Sequence, residues 1–334
     1  MMATVFDVAK EAGVSIATVS RVMNNSPRVS AATAEAVRAA VEKLGYVPNQ
    51  QARNLRKNES NSILVMIPDV TKLSYARTLA GINEKALEYG YTLLMNNAVG
   101  EEQEIVLNRM AETQRCAGAI LLNVMLGDEW LPDVDSRLSL VLCSEYVSGC
   151  NMLSVSVDDR KIGREAADYL LKLGHRRIGY IGSCVSCSSA FERREGFLSR
   201  LSEDGIEPDV RLVAYTDVST NYREGYRVAR ELLSRPDRPG AIFCYSDILA
   251  MAAVTVAGEL GIRVPEQLSV LGVDNNVYAE MVHPYVTSFS QPFEEMGRRA
   301  MELLHLKMTG QTIPTGRVIA EHELKIQEST GPAL

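Results

Sequence analysis

Among the 334 residues no apolar run comes near the roughly 18 that a membrane-spanning helix needs. The first residues carry Asp7, Lys10 and Glu11 where a secretion signal would need an apolar core, so a cytoplasmic protein without membrane contact is expected. Catalytic patterns are missing as well. The four histidines, His175, His283, His305 and His322, form no HExxH or paired arrangement, and neither a Gly-x-Ser-x-Gly elbow nor a P-loop occurs. His175, in LGHRRIG ahead of a strand, reads as structural, and an enzyme is not expected. Six cysteines are scattered. Cys184 and Cys187 form a lone CxxC with no second pair and no flanking histidine, which argues for free thiols in a reducing compartment and against a metal or other cofactor. No leucine heptads follow the last strand-like segment, Val318–Ile326, so a coiled-coil tetramer is not expected.

An excess of positive charge is also absent: 35 Lys and Arg stand against 42 Asp and Glu, a net −7. The deficit is uneven. Residues 1–60 hold Lys10, Arg21, Arg28, Arg38, Lys43, Arg53, Arg56 and Lys57 against Asp7, Glu11, Glu35, Glu42 and Glu59, a balance of +3 that leaves −10 for the remainder. A small basic reader of nucleic acid joined to an acidic body has this asymmetry. A charge of +3 gives one head a weak grip; two held together would neutralise twice as many phosphates.

Within the basic segment, TVFDVAKEAGVSIATVSRVMN (residues 4–24) reads as two short helices around a tight turn. Thr4 and Asp7 have capping-box spacing, and Val5, Val8, Ala9 and Ala12 form an apolar stripe. Gly13 supplies the turn and Ser15 can cap the second helix. There Val19, Val22 and Met23 face inward, while Ser15, Ile16, Ala17, Thr18, Ser20, Arg21 and Asn24 occupy the opposite face. Short, hydroxylated, amide and cationic side chains of this kind can approach base edges and clamp phosphates in a major groove about 12 Å wide. A third helix, capped by Ser30 and stopped at Gly45, completes a three-helix head. Residues 46–60, YVPNQQARNLRKNES, hold one and a half helical turns at most, with Leu55 the one large apolar residue near the end.

From about residue 61, strand-like runs alternate with amphipathic stretches. The runs begin with Ile63–Ile67, Thr92–Met95 and Ala119–Leu122, and helical periodicity marks Arg77–Glu88, Ile162–Lys172, Gly225–Leu233 and Ile248–Leu260. Such alternation implies parallel sheets covered on both faces, here in two units. Asp69, Asn96, Asn123, Ser144, Asp158, Ser183, Ser246 and Asp274 follow the apolar runs. The C-terminal strand ends of open α/β sheets border the ligand crevice, so a ring of this kind suits a ligand with many hydroxyls. Each of these residues could equally cap the next helix.

Taken together, DVAKEAGVSIATVSRVMN, LGYVPN, the Ala52-Arg53-Asn54-Leu55 step, ILVMIPDV, LGHRRIGYIG, AIFCYSDILAMAA, LSVLGVDN and TSFSQPFEEMGRRAMELL resemble the lactose-repressor (LacI/GalR) family of bacterial regulators, in order and spacing. NLRKNES, SEY and FSQP resemble the cytidine-repressor branch in particular. The resemblance implies an all-α helix-turn-helix head of the lambda-repressor type (1–46), a hinge (47–60) and an α/β, two-lobed, periplasmic-binding-protein-like body with parallel sheets (61–330). Its N-lobe would be about 61–160 plus 291–320 and its C-lobe about 161–290 plus 321–330.

It further implies a homodimeric repressor on double-stranded operator DNA with a small-molecule effector, a sugar or nucleoside, between the lobes. Thr4, Ser15, Ile16, Ala17, Thr18, Ser20, Arg21, Asn24, Asn49, Ala52, Arg53 and Leu55 would contact DNA. Ile16 and Ala17 would choose the operator, and Leu55 would wedge between base pairs. Tyr75, Ser144, Arg193, Ser246, Asp247, Asp274, Gln291 and Phe293 would meet the effector. One departure is that the family often has a Pro and two aromatics after the first strand, whereas Val70-Thr71-Lys72-Leu73-Ser74-Tyr75 keeps one aromatic and adds Lys72. A cytosolic solute-binding protein without operator binding is the rival reading.

Overall fold

Thr4 starts the first helix because it and Asp7 satisfy each other's backbone. Thr4 Oγ1 accepts from the Asp7 N–H at 3.4 Å, and Asp7 Oδ2 accepts from the Thr4 N–H at 2.8 Å. In the computed structural model, which describes residues 3–23, 26, 28–46, 60–217 and 219–334, this helix, α1, runs Val5–Glu11. Gly13 turns the chain at φ 65°, Ser15 Oγ accepts the Thr18 N–H at 3.2 Å, and α2 spans Ile16–Met23. Ser30 caps α3 (Ala31–Leu44), which Gly45 ends in the left-handed region. Val8, Val19 and Val37, one from each helix, are wholly buried and pack with Ala9, Val22 and Ala40. A buried valine contributes about 1.5–3 kcal/mol and a cap about 1 kcal/mol, so the shared core holds the head more than its caps do.

The chain divides into two compact units, residues 1–59 and 60–334. In the second, β1 (Ser62–Met66), β2 (Thr92–Asn96), β3 (Gly118–Leu121), β4 (Ser139–Cys143) and β5 (Ser154–Val157) are interleaved with α4 (Leu73–Glu88), α5 (Glu101–Thr113) and α6 (Leu131–Arg137). The next stretch carries α7 (Asp159–Lys172), β6 (Ile178–Gly182), α8 (Ser188–Glu203), β7 (Val213–Tyr215), α9 (Tyr222–Leu233), β8 (Ala241–Cys244), α10 (Asp247–Glu259), β9 (Ser269–Asp274) and β10 (Thr287–Ser290). The last elements are α11 (Phe293–Met308), β11 (Arg317–Ala320) and β12 (Glu323–Lys325).

The strands form two sheets, each the floor of one lobe. The first has the order β11-β5-β4-β3-β1-β2 and is parallel throughout. The second runs β12-β10-β9-β8-β6-β7 and is parallel except for β12, which lies antiparallel to β10. Central strands such as β3 (GAIL) and β8 (AIFC) are buried at every residue, because helices cover both faces of a parallel sheet.

The chain passes between the sheets at 158, at 291–292 and at 321–322. The last passage divides the strand-like segment Val318–Ile326, which the resemblance splits between the lobes at 320/321, into two strands in different sheets. His322 sits at the break, its Nε2 2.8 Å from Glu165 Oε2 and its ring edge-on to Phe289. His175 is buried between Ser269 Oγ at 2.9 Å and the Gly331 carbonyl at 3.0 Å, and burial lowers its pKa.

Two helix pairs approach closely through glycine. A Cβ on Gly163 of α7 would overlap the Arg193 carbonyl of α8 and lie 2.8 Å from Phe197 N, and one on Gly196 would overlap the Arg160 carbonyl in return. Gly81 and Gly297 play the same reciprocal part for α4 and α11. All six cysteines are free, and only Cys184 is exposed.

Candidate nucleic-acid face and interlobe cleft

On α2, burial of Val19 and Val22 turns the other face outward. Ser15, Ala17 and Arg21 are exposed there, while Ile16, Thr18 and Ser20 are half-buried. Ile16 packs in part against the apolar cluster, and Thr18 Oγ1 lies 2.9 Å from Ser15 Oγ. Thr4 is engaged in its capping box. Asn24, Asn49, Ala52, Arg53 and Leu55 lie outside the described residues.

In the body, loops at the C-terminal ends of both sheets enclose a cavity of about 260 Å³, many times what one water molecule requires. Tyr75, Ser144, Arg193, Ser246, Asp274, Gln291 and Phe293, seven of the eight residues expected there, line it together. The first sheet's lobe contributes the segment after β1, Ser144 after β4, and Phe293 where α11 begins. The second contributes Arg193 from α8, Ser246 after β8 and Asp274 at the end of β9.

The strand-end ring splits evenly. Asp69, Ser144, Ser246 and Asp274 reach the cavity, but Asn96, Asn123, Asp158 and Ser183 do not. Asp158 caps α7 by accepting the Lys161 N–H at 2.9 Å, and Ser183 Oγ lies 2.6 Å from Thr220 Oγ1.

Arg193 is 4% exposed and donates from Nε to Asp159 Oδ1 at 2.7 Å and from Nη1 to the Tyr245 carbonyl at 2.8 Å. Its guanidinium lies 4.8 Å from the Tyr245 ring centroid. Burial opposes its charge, but Asp159, Tyr245 and Asp274 together outweigh that and keep the pKa above the ordinary value. Asp274 accepts from Gln291 Nε2 at 2.8 Å, and burial pushes its carboxyl up to about 6 against the pull of Arg193, Gln291 and Lys72. Asp274 stands at φ 112° and Ser144 at φ 73°, conformations that cost a non-glycine residue about 1–3 kcal/mol and persist where the surroundings hold them.

Asp247 is the exception among the expected contacts. It is 1% exposed and lies behind the wall, where Oδ1 accepts from Ser288 Oγ at 2.5 Å and Oδ2 from the Asn276 N–H at 2.7 Å. Both oxygens being engaged, it fixes the loop after β9 and does not face the cavity.

Several lining residues were not singled out by sequence. Glu145, next to Ser144, is buried and reaches across to the other lobe. Its Oε2 accepts from Ser188 Oγ at 2.5 Å and the Ser189 N–H at 2.9 Å, and its Oε1 from Ser189 Oγ at 2.6 Å. Burial and then Asp159 push its carboxyl above the ordinary range, while the serines pull it back. It thus supplies the cap that Cys187, at the start of α8, does not give. Its adjacency to an expected strand-end residue was the available signal. Asn276 and Tyr245 follow expected residues or precede them by one or two positions in the same way.

Residues 4–49 match the family described as "Bacterial regulatory proteins, lacI family", and residues 167–330 match "Periplasmic binding protein-like domain". The chain is 33% identical over 330 residues to the HTH-type transcriptional repressor CytR of Escherichia coli (strain K12), covering 98% of this chain and 96% of that protein. It is similar to the crystal structure of the Lac repressor dimer bound to operator and the anti-inducer ONPF, with a TM-score of 0.89, 26% identity, and 99% and 100% of the two chains covered. The transcriptional regulator CelR–cellobiose complex matches at a TM-score of 0.73 and 33% identity, covering 98% and 99%. With 33% identity to CytR and 35% to the HTH-type transcriptional regulator CelR of Thermobifida fusca, identity does not single out the cytidine-repressor branch.

Proposed function

This chain belongs to the lacI family of bacterial regulatory proteins, and from that premise we propose that it is a cytoplasmic, non-catalytic transcriptional repressor whose grip on operator DNA is set by a small hydroxylated ligand. The observation that carries the reading is the union, in one chain, of a helix-turn-helix head with an outward Ser15, Ala17 and Arg21 face and a body whose two lobes close on a cavity lined by Ser144, Arg193, Ser246 and Asp274. The solved relatives support it: one is bound to operator and an anti-inducer, another to cellobiose.

The regulator acts as a homodimer on a near-palindromic site. In support, edge strand β2 (TLLMN) leaves Met95 61% exposed and Leu94 partly so, an uncovered apolar edge that a second copy would bury. Seven of the lining residues named above, with Arg193 and Asp274 central, are the effector contacts. Ligand closing the lobes changes the spacing of the two segments spanning 47–60, and operator affinity shifts with it.

Selection of bound duplexes from a random pool with the full chain tests this. A near-palindromic consensus is expected, with Leu55→Ala weakening binding to it while leaving the cleft's ligand affinity unchanged. A monomer that retains no duplex even at low salt would leave only the solute-binding reading.

A further inference from the structure

The cleft holds a cation whose ammonium touches no carboxylate among the described residues. Among the charged lining groups, Arg193 is paired with Asp159, Glu145 takes three donors from the start of α8, and Asp69 Oδ1 accepts from the Thr71 N–H at 2.9 Å and Thr71 Oγ1 at 2.6 Å. The Lys72 ammonium has no hydrogen bond or ion pair among the described residues; its Nζ stands 5.9 Å from the Tyr75 ring centroid. Asp69 and Asp274 lie within range of its field but not within contact.

The position of Lys72 sharpens the point. It is the N-cap of the 16-residue helix α4, a place that favours a side chain able to accept a hydrogen bond, and an ammonium cannot accept one. No side chain caps α4 and no acid stands in its first turn. The positive end of its dipole is therefore reinforced by a cation. The start of α10, in the other lobe, lines the same cavity, and its N-cap Ser246 does not cap either. Ser246 is 6% exposed, lines the cavity, and its Oγ has no hydrogen-bond partner within the protein. A buried hydroxyl left unpaired in a cavity wall points to a group that a ligand supplies.

Resting on the reading of this cleft as the effector site, we propose that the effector carries an oxyanion, phosphoryl or carboxyl, seated between Lys72 at the start of α4 and Ser246 at the start of α10. A neutral ligand of the same shape would expel water from the Lys72 ammonium and leave it without a counter-charge in contact, which is costly. An oxyanion takes that place, accepts from the Ser246 hydroxyl, and complements both helix starts. The hydroxyls of the same ligand remain for Asp274 and Arg193.

The test uses the full chain and matched pairs: ribose with ribose 5-phosphate, glucose with glucose 6-phosphate and with gluconate, uridine with uridine 5′-monophosphate, and inorganic phosphate alone. Thermal shift finds the binders and calorimetry gives their affinities. In at least one pair the anionic member is expected to bind about tenfold or more tightly than its neutral partner. Lys72→Gln should bring that ratio close to one, and Lys72→Arg should retain it. A phosphate arm and a gluconate arm that differ identify which oxyanion is recognised. Neutral members binding as tightly as anionic ones, or Lys72→Gln weakening both equally, would overturn the oxyanion seat and leave the effector cleft standing. Binding by no member of the panel would count against both.

Discussion

Gly163→Ala is the substitution whose consequence follows most directly from the geometry. The added Cβ would overlap the Arg193 carbonyl oxygen and lie 2.8 Å from Phe197 N, and both obstacles are backbone, so no side-chain rotation relieves them. Helix α8 must move from α7 by a sizeable fraction of an ångström or more. Overpacking of this kind costs about 1–3 kcal/mol or more, outweighing the roughly 1 kcal/mol that alanine gains over glycine inside a helix. For a body this size each kcal/mol moves the melting temperature by about 2–4 °C, so a net loss of about 1–2 kcal/mol predicts a fall of roughly 2–8 °C. Arg193 rides on the displaced helix, so ligand affinity at the cleft should fall too. Gly258→Ala is the control, a helical glycine with nothing within 4 Å of its new Cβ, and it should be neutral or stabilising. Thermal denaturation of both variants decides the matter. Equal melting temperatures, or unchanged ligand affinity in Gly163→Ala, would refute the claim that close α7–α8 packing positions Arg193.

Three further outcomes are expected. Asp274 holds its proton more tightly when folded, with a pKa of about 6 against an ordinary 3.8, so its contribution to stability is lost as pH rises between those values. Urea melts at pH 4.5 and 6.5 should therefore show the chain losing roughly 1–3 kcal/mol relative to Asp274→Asn over that interval, and parallel behaviour would remove the raised carboxyl. Glu145→Ala leaves three donors at the start of α8 without their acceptor, a loss of about 1–3 kcal/mol; hydrogen exchange at the Ser189 amide should quicken, and unchanged exchange would show that the contact does not hold the lobes. Val19→Ala should cost the head about 2 kcal/mol and weaken duplex binding while the body's unfolding transition and cleft affinity stay put; a matching shift in the body's transition would contradict two separately cored units.

The sequence was most legible where local chemistry and periodicity agreed. The Thr4–Asp7 box, Gly13, Ser30 and Gly45 each act as their residue types dictate, and the three valines meet as a 3.6-residue stripe requires. Parallel sheets followed from short fully apolar runs alternating with amphipathic helices. The interior of the cleft was only partly legible. Whether Asp158 or Asp274 faces a cavity depends on how the following loop turns, and the same residue type serves as a cap in one place and a wall in the other. Asp247 was misplaced because its engagement with Ser288 and Asn276 is long-range and leaves no local signature. Glu145 escaped notice for the converse reason, since its partners Ser188 and Ser189 stand more than forty residues away in the other lobe.

The central claim is that the cleft and the head are energetically coupled, and fluorescence anisotropy measures that directly. A labelled duplex obtained by selection is titrated with the full chain, with and without a saturating cleft ligand found by thermal shift. The predicted result is a change in duplex affinity of about 5–150-fold, matched by an equal change in ligand affinity when the duplex is present. Superimposable titrations with and without bound ligand would contradict the account.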